Sequence, residues 1–232
     1  MKVRYLIPLM VVGLVGCEPP EPVNLSDLVV QGETYLDPTT MNPHSGPVFS
    51  LHQGTNKVSE RGELVDGLGV GPWERYHENG QLEMKGSYSN GELDGPFERY
   101  YENGQLRSKG SYSNGERDGP IEFYGENGQL MSKGSYSNGK DDGPVEVYYE
   151  NGQLRDKRTY SNGQQDGPVE TYWNNGQLEY KGSYSNGELD GPFEWYHENG
   201  QLRSKGSYSN GERCGEWIEN GRNRTYPPCP NG

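Results

Sequence analysis

Few residues in this chain are of types that do chemistry, and their spacing limits what that chemistry is. The four histidines, His44, His52, His77 and His197, stand far apart and form no cluster at metal spacing. Carboxylates recur in turns of the form Asn-Gly-Glu-x-Asp-Gly, as at 90–95. Calcium would need several such oxygens converging on one point, and Asp before Gly is also what a turn favours, so these are read as turns. There is no Gly-x-Ser-x-Gly elbow and no phosphate loop. The chain is therefore expected to be no enzyme, with no catalytic residue and no metal. Three cysteines, Cys17, Cys214 and Cys229, are the remaining reactive groups.

The elements that hold these residues follow one period. The stretch Gly95–Asp118, GPFERYYENGQLRSKGSYSNGERD, recurs with changes from Gly71, Gly119, Gly143, Gly167 and Gly191. These are six copies of 24 residues ending at Cys214, and a fixed period of this length marks a repeat architecture. Only 29% of the residues are hydrophobic and the net charge is −13, which alone leans towards disorder. The 18 Tyr and 35 Gly fall at phased places, however, and disorder needs no phase. An ordered sheet with a thin core is expected. The acidic balance argues against nucleic acid as a partner.

With Gly95 as position 1, position 3 is always apolar and position 6 is Tyr. Positions 9–12 are Asn-Gly-Gln-Leu, 15 is Lys, 18 is Tyr and 20–21 are Asn-Gly. Asn-Gly is the strongest short hairpin signal, and breakers this frequent exclude helix. The expected fold is all-β: an elongated single-layer antiparallel meander of repeated hairpins, with no substantial helix outside the leader. About sixteen strands at ~4.8 Å spacing give a sheet roughly 70 Å long. A two-residue turn at the first Asn-Gly would set position 7 opposite 12, 6 opposite 13 and 4 opposite 15. That predicts ion pairs Glu74–Lys85, Glu98–Lys109, Glu122–Lys133, Glu146–Lys157, Glu170–Lys181 and Glu194–Lys205. Positions 3, 7, 12, 16 and 18 would then share one face, with Tyr at position 6 on the other. A three-residue turn with a bulge would instead put that Tyr on the face of Leu and lose the Glu–Lys pairing.

Flanking segments complete the plan. Residues 1–16 carry Lys2 and Arg4 before a short apolar run, as in a secretory signal. The run ends Leu14-Val15-Gly16-Cys17, which resembles the bacterial lipobox. The resemblance implies cleavage before Cys17 and a covalent lipid on it as the sole attached group, anchoring the chain to a membrane. Glu18 rather than Asp follows, which favours the outer membrane. Residues 17–27 are expected to be a Pro/Glu-rich solvated tether, and 28–226 the repeat domain. Within that domain Leu28–Leu36 reads as a first strand, 46–70 as a worn copy, 71–214 as the regular copies and 215–226 as a partial one. Residues 227–232 form a tail. Outside the cytoplasm Cys214 and Cys229 are expected to pair, pinning the tail over the last strand edge; the loop makes this worth ~3 kcal/mol.

The residues of Gly95–Glu116 resemble the MORN repeat in its bacterial variant form, an aromatic, then Tyr, Asn-Gly-x-Leu, Gly-x-Tyr and a second Asn-Gly. The resemblance covers 46–226. It implies a binding scaffold: proteins of this type include YwqK-type antitoxins, and relatives in eukaryotes bind lipids or proteins. The expected function is a lipid-anchored scaffold for a protein partner at the bacterial envelope, working as a monomer. The rivals are an antitoxin or immunity protein whose partner is a toxin, and a cell-wall or saccharide-binding module. Positions 5 and 7 vary most, so the partner surface is expected at Arg75, His77, Arg99, Tyr101, Phe123, Tyr149, Trp173, Trp195 and His197.

Overall fold

The computed structural model describes residues 20–230. The leader and the lipidation site at Cys17 lie outside the described residues. The fold is all-β, with a 20-stranded sheet and a separate two-stranded one. Strands from Gly46–Leu51 to Arg222–Thr225 follow one another as antiparallel neighbours.

The two Asn-Gly steps of each copy do different work. The second is a two-residue turn: Asn114 and Gly115 have φ of 48° and 77°, and Ser113 pairs with Glu116. This is the type I′ geometry that Asn-Gly favours. The first step closes a three-residue loop. Gly104 N–H donates to Tyr101 O at 2.8 Å and Tyr101 N–H to Gln105 O at 2.9 Å. The Asn103 side chain accepts from the Gln105 amide at 2.9 Å, and Gly104 alone takes the left-handed corner, with φ 81°. The expected two-residue register is thus corrected: position 6 faces 12, as Tyr100 faces Leu106. A bulge then leaves Arg107 at position 13 unpaired and returns Glu98 to Lys109. The same shift recurs in all six copies.

This register sorts the side chains. Positions 3, 5, 14, 16 and 18 share one face; 4, 6, 12 and 15 share the other. Leu at position 12 therefore lies with Tyr, Glu and Lys, not with the core as expected. The core face buries Trp73, Phe97, Ile121 and Val169, although among the described residues no second layer covers the regular copies. Neighbouring rings supply the cover: Phe97 packs on Tyr112 at 4.9 Å and Phe193 on Tyr208 at 5.3 Å. Glycine at position 16 leaves room for these rings. A Cβ on Gly62 would enter the Trp73 ring and one on Gly206 the Trp217 ring. Arg158 is the exception at that position, and it faces two small residues, Val145 and Val169.

Both ends are capped. Val23–Asn24 runs parallel to Gly46–Leu51, and Leu25 and Leu28 pack on Val48, Leu64 and Trp73. The solvated tether expected to reach Asp27 thus ends near Pro22. The strand expected at Leu28–Leu36 is a small hairpin, Val29–Gln31 with Thr34–Leu36, turned at Gly32. Its Tyr35 is bonded to Gly67 at 2.9 Å. At the far end Cys214 and Cys229 form a disulfide with Cα atoms 4.9 Å apart. The tail does not cover the outer edge as expected. Tyr226 and Pro227 bond Gly215, which prolongs the last strand beside Glu212–Glu219, and Arg222–Thr225 stay exposed.

Candidate interaction surface

On the outer face, position 4 and position 15 alternate along the sheet as one charged row. Each Lys but the last has a Glu on both neighbouring strands; Lys205 has Glu194 on one side and Ile218 on the other. The salt bridges mostly form to the following copy, not within the hairpin as expected: Lys85–Glu98 at 2.8 Å, and Lys109–Glu122, Lys133–Glu146 and Lys181–Glu194 at 2.9 Å. Of the six expected pairs, Glu194–Lys205 closes, at 2.8 Å. Tyr at position 6 locks the row. Its hydroxyl donates to the Glu two residues back, as Tyr148 does to Glu146 at 2.5 Å and Tyr172 to Glu170 at 2.7 Å.

The electrostatics follow. Lys85 and then the Tyr100 hydroxyl hold the Glu98 carboxyl below its usual range. Lys205, Tyr196 and Lys181 together bring Glu194 down to about 2. Burial and the bond to Glu74 push Tyr76 up to about 12. The row neutralises itself, so it offers a partner little net charge. Its residues are also the ones that do not vary among the copies.

Variation lies instead around the three-residue loops. The structure divides the expected partner residues into two groups. Position 5 belongs to the core face. Phe123 and Trp195 are half-buried there, Thr171 in the same place is buried, and Arg75 and Arg99 reach solvent. Arg75 lies 3.7 Å from Glu60, and Arg99 lies 5.9 Å from the Phe97 ring. Position 7 lies at the loops and links copies. His77 Nε2 donates to Tyr100 O at 3.0 Å, and the Tyr101 and Tyr149 hydroxyls donate to Tyr124 O and Tyr172 O at 2.8 Å. Trp173 and Trp195, expected as exposed contact rings, have buried indole nitrogens without a partner, and Arg203 covers Trp195 at 3.7 Å. His197 is exposed.

Sequence reasoning missed position 13. The bulge frees it from the ladder: Arg107 lies 5.7 Å from the Tyr101 ring at the loop, whereas Arg155 and Arg203 reach Asp156 and Trp195 on the core face. Its variation, from Glu83 through Met131 to Arg203, was there to be read. Also missed was the polar cluster in the middle of the core face. Buried Asp156 is held by Arg155 at 2.7 Å, Arg158 at 3.0 Å and Thr171 at 3.2 Å. Burial opposes its charge, but the two arginines outweigh this and keep its pKa below the ordinary value. Beside the loops lie two cavities of about 450 and 440 Å³, which share Tyr101 and Glu126. A larger one, about 760 Å³, lies at the N-terminal end against Phe49, Val58 and Pro72.

A family model described as MORN repeat variant matches residues 70–90, 93–114, 117–138, 141–162, 165–186 and 189–210. These are the six regular copies, offset so that each match ends at the second Asn-Gly turn. No curated protein matches the chain.

Proposed function

The chain belongs to the MORN repeat variant family, and we propose that it is a non-catalytic scaffold, lipid-anchored at a bacterial envelope, that holds a protein partner along its loop-bearing edge. One observation carries this reading. The residues that repeat without change are used by the fold, in the charged row, the Gly–ring contacts and the two turns. Those that vary, at positions 7 and 13, gather beside the three-residue loops and their cavities. Repeat sheets that vary along one line commonly write specificity there. The Cys214–Cys229 disulfide supports a destination outside the reducing cytoplasm.

Two experiments test the two halves. Palmitate labelling of the expressed chain, lost in Cys17→Ala and blocked by globomycin, is the outcome expected for the anchor. Labelling unchanged by the substitution overturns it. For the scaffold, crosslinking in intact cells through a photoreactive residue at Tyr101 is expected to trap a discrete protein, with no product from a residue placed at Pro144 on the outer face. Equal or absent products from both places overturn the scaffold reading.

A further inference from the structure

Five of the six regular copies carry a ring at position 7; the third has Gly125. Its φ lies outside the left-handed region, and the same loop accepts Tyr, Trp or His in the other copies, so the backbone does not require glycine there. The cavity beside it is about as large as the one beside Tyr101 one copy earlier, so what Gly125 and Met131 change is the lining, which loses its cations, and not the volume. The cavity of about 440 Å³ lies at Gly125, with Tyr101 of the preceding copy and Tyr148 and Tyr149 of the following one in its walls. Leu130 and Met131 add apolar surface, and Met131 is 50% exposed. Glu126 and Glu150 supply two carboxylates, and among the described residues no Lys, Arg or His lines the cleft.

The preceding copy shows how this chain fills such a place itself. In the second copy, Arg107 at position 13 lies 5.7 Å from the Tyr101 ring. In the sixth, Arg203 at the same position turns instead to the ring at position 5, 3.7 Å from Trp195. In the third, Met131 replaces the cation and Gly125 the ring. Relative to the second copy, the third thus lacks both halves of the Arg107–Tyr101 pair while keeping rings and carboxylates around the gap. Aromatic faces and carboxylates that surround an apolar slot favour an aliphatic stem ending in a positive charge. The chain's net charge of −13 adds attraction at longer range.

We propose that the cleft at Gly125 is a docking site for a lysine or arginine side chain on a basic segment of the partner protein. The proposal rests on the scaffold reading and names the partner's chemistry. Its test is fluorescence anisotropy of the full chain with a labelled glycine–serine nonapeptide carrying one lysine. The comparison is with Gly125→Tyr, which restores the ring of the other copies without changing charge. Binding about ten-fold weaker in the variant, with an unchanged melting curve, is expected. Should that variant unfold, Met131→Arg, which supplies the cation that Arg107 supplies next door, is expected to weaken binding at least as much. Acetylation of the peptide lysine is expected to abolish binding. Equal binding by wild type and Gly125→Tyr overturns the proposal and leaves only diffuse attraction to an acidic chain. So does binding of a neutral disaccharide without a response to the lysine peptide, which would make the cleft a sugar site. Crosslinking separates the two readings. A partner trapped at Tyr101 equally by wild type and Gly125→Tyr keeps the scaffold and removes the cleft. Peptide binding that depends on Gly125, with no protein trapped, does the reverse.

Discussion

Gly206→Ala tests the claim that glycine at position 16 is there for its neighbour's ring and not for its own backbone. Gly206 lies outside the left-handed region, so alanine is compatible with its backbone. The added methyl, however, would lie inside the ring of Trp217, which is 1% exposed. That ring cannot swing away freely, because its Nε1 donates to Ser207 O at 3.2 Å and Cys214 O at 3.1 Å. Overpacking costs about 1–3 kcal/mol and a strained buried hydrogen bond about 1 kcal/mol. The smaller entropy of the unfolded alanine chain offsets about 0.4–1 kcal/mol. The net loss is about 2 kcal/mol. The control is Gly134→Ala, whose methyl would meet Val145 Cγ2 at 3.1 Å, a contact that a shift of a few tenths of an ångström relieves. Its net effect is expected near zero. Repeat arrays open locally from their ends, so the assay is amide hydrogen exchange resolved to segments rather than a single melting temperature. Exchange in Leu202–Ser209 and Glu212–Glu219 is expected to quicken about 30-fold in Gly206→Ala, while Leu130–Ser137 changes little in Gly134→Ala. Adding Trp217→Val to Gly206→Ala is expected to cost less than the two single losses together, because the clash goes with the ring. Equal effects of the two alanines, or strict additivity in the pair, would refute the reasoning.

Three further outcomes follow from the same geometry. Cys229→Ser opens a loop spanning 15 residues, worth up to ~3 kcal/mol, and is expected to lower exchange protection in Glu212–Glu219 and Arg222–Thr225 but not in the central copies. Acid is expected to loosen the charged row. The Glu194 pKa falls from an ordinary 4.5 to about 2, so its contribution is complete above pH 4.5 and is lost as the pH drops from there through 2; Glu194→Gln should flatten that part of the unfolding curve. Asp156→Ser, which copies Ser108, Ser132 and Ser204, leaves Arg158 without its carboxylate and is expected to cost about 1–2 kcal/mol, discounted for the solvent that reaches Arg158. Adding Arg158→Gly, the residue of the other copies, should recover most of that loss in a denaturant titration, and a double variant no better than the single would count against the charge pairing.

The architecture was legible because the breakers are phased. Asn-Gly and Gly-Pro steps set strand length, and the constancy of Glu at position 4 and Lys at position 15 gave that pairing. The path between those points was not legible. At the first Asn-Gly the asparagine side chain accepts the amide two residues on, as Asn103 does from Gln105, and this stabilises a longer loop than the dipeptide suggests. The extra loop residue would have moved every later pair by one. The bulge at position 13 moves them back, so Glu98 meets Lys109 although Leu106 changes face. Two compensating irregularities are invisible to an alternation pattern, which registers only their sum. The ion pairs were misassigned for a related reason: a strand inside a sheet has two neighbours, and a hairpin reading considers one.

The same bulge explains what was and was not legible of the candidate surface. Variation at positions 5 and 7 marked the right end of the hairpin, but in a sheet variability has two sources. At position 5 it reflects packing: Thr171 stands where Asp156 must be bonded, and Phe123 and Trp195 are half-buried. At positions 7 and 13 it reflects a loop free to differ. Only the register separates the two, because only the bulge sets Arg107 at position 13 beside the Tyr101 ring. Once it does, an alignment of the copies reads as paired columns, Arg107 with Tyr101 in one copy and Met131 with Gly125 in the next. A glycine that no backbone angle requires, standing where its neighbours keep rings, then becomes the informative residue. Its meaning lies in the contact it leaves unmade.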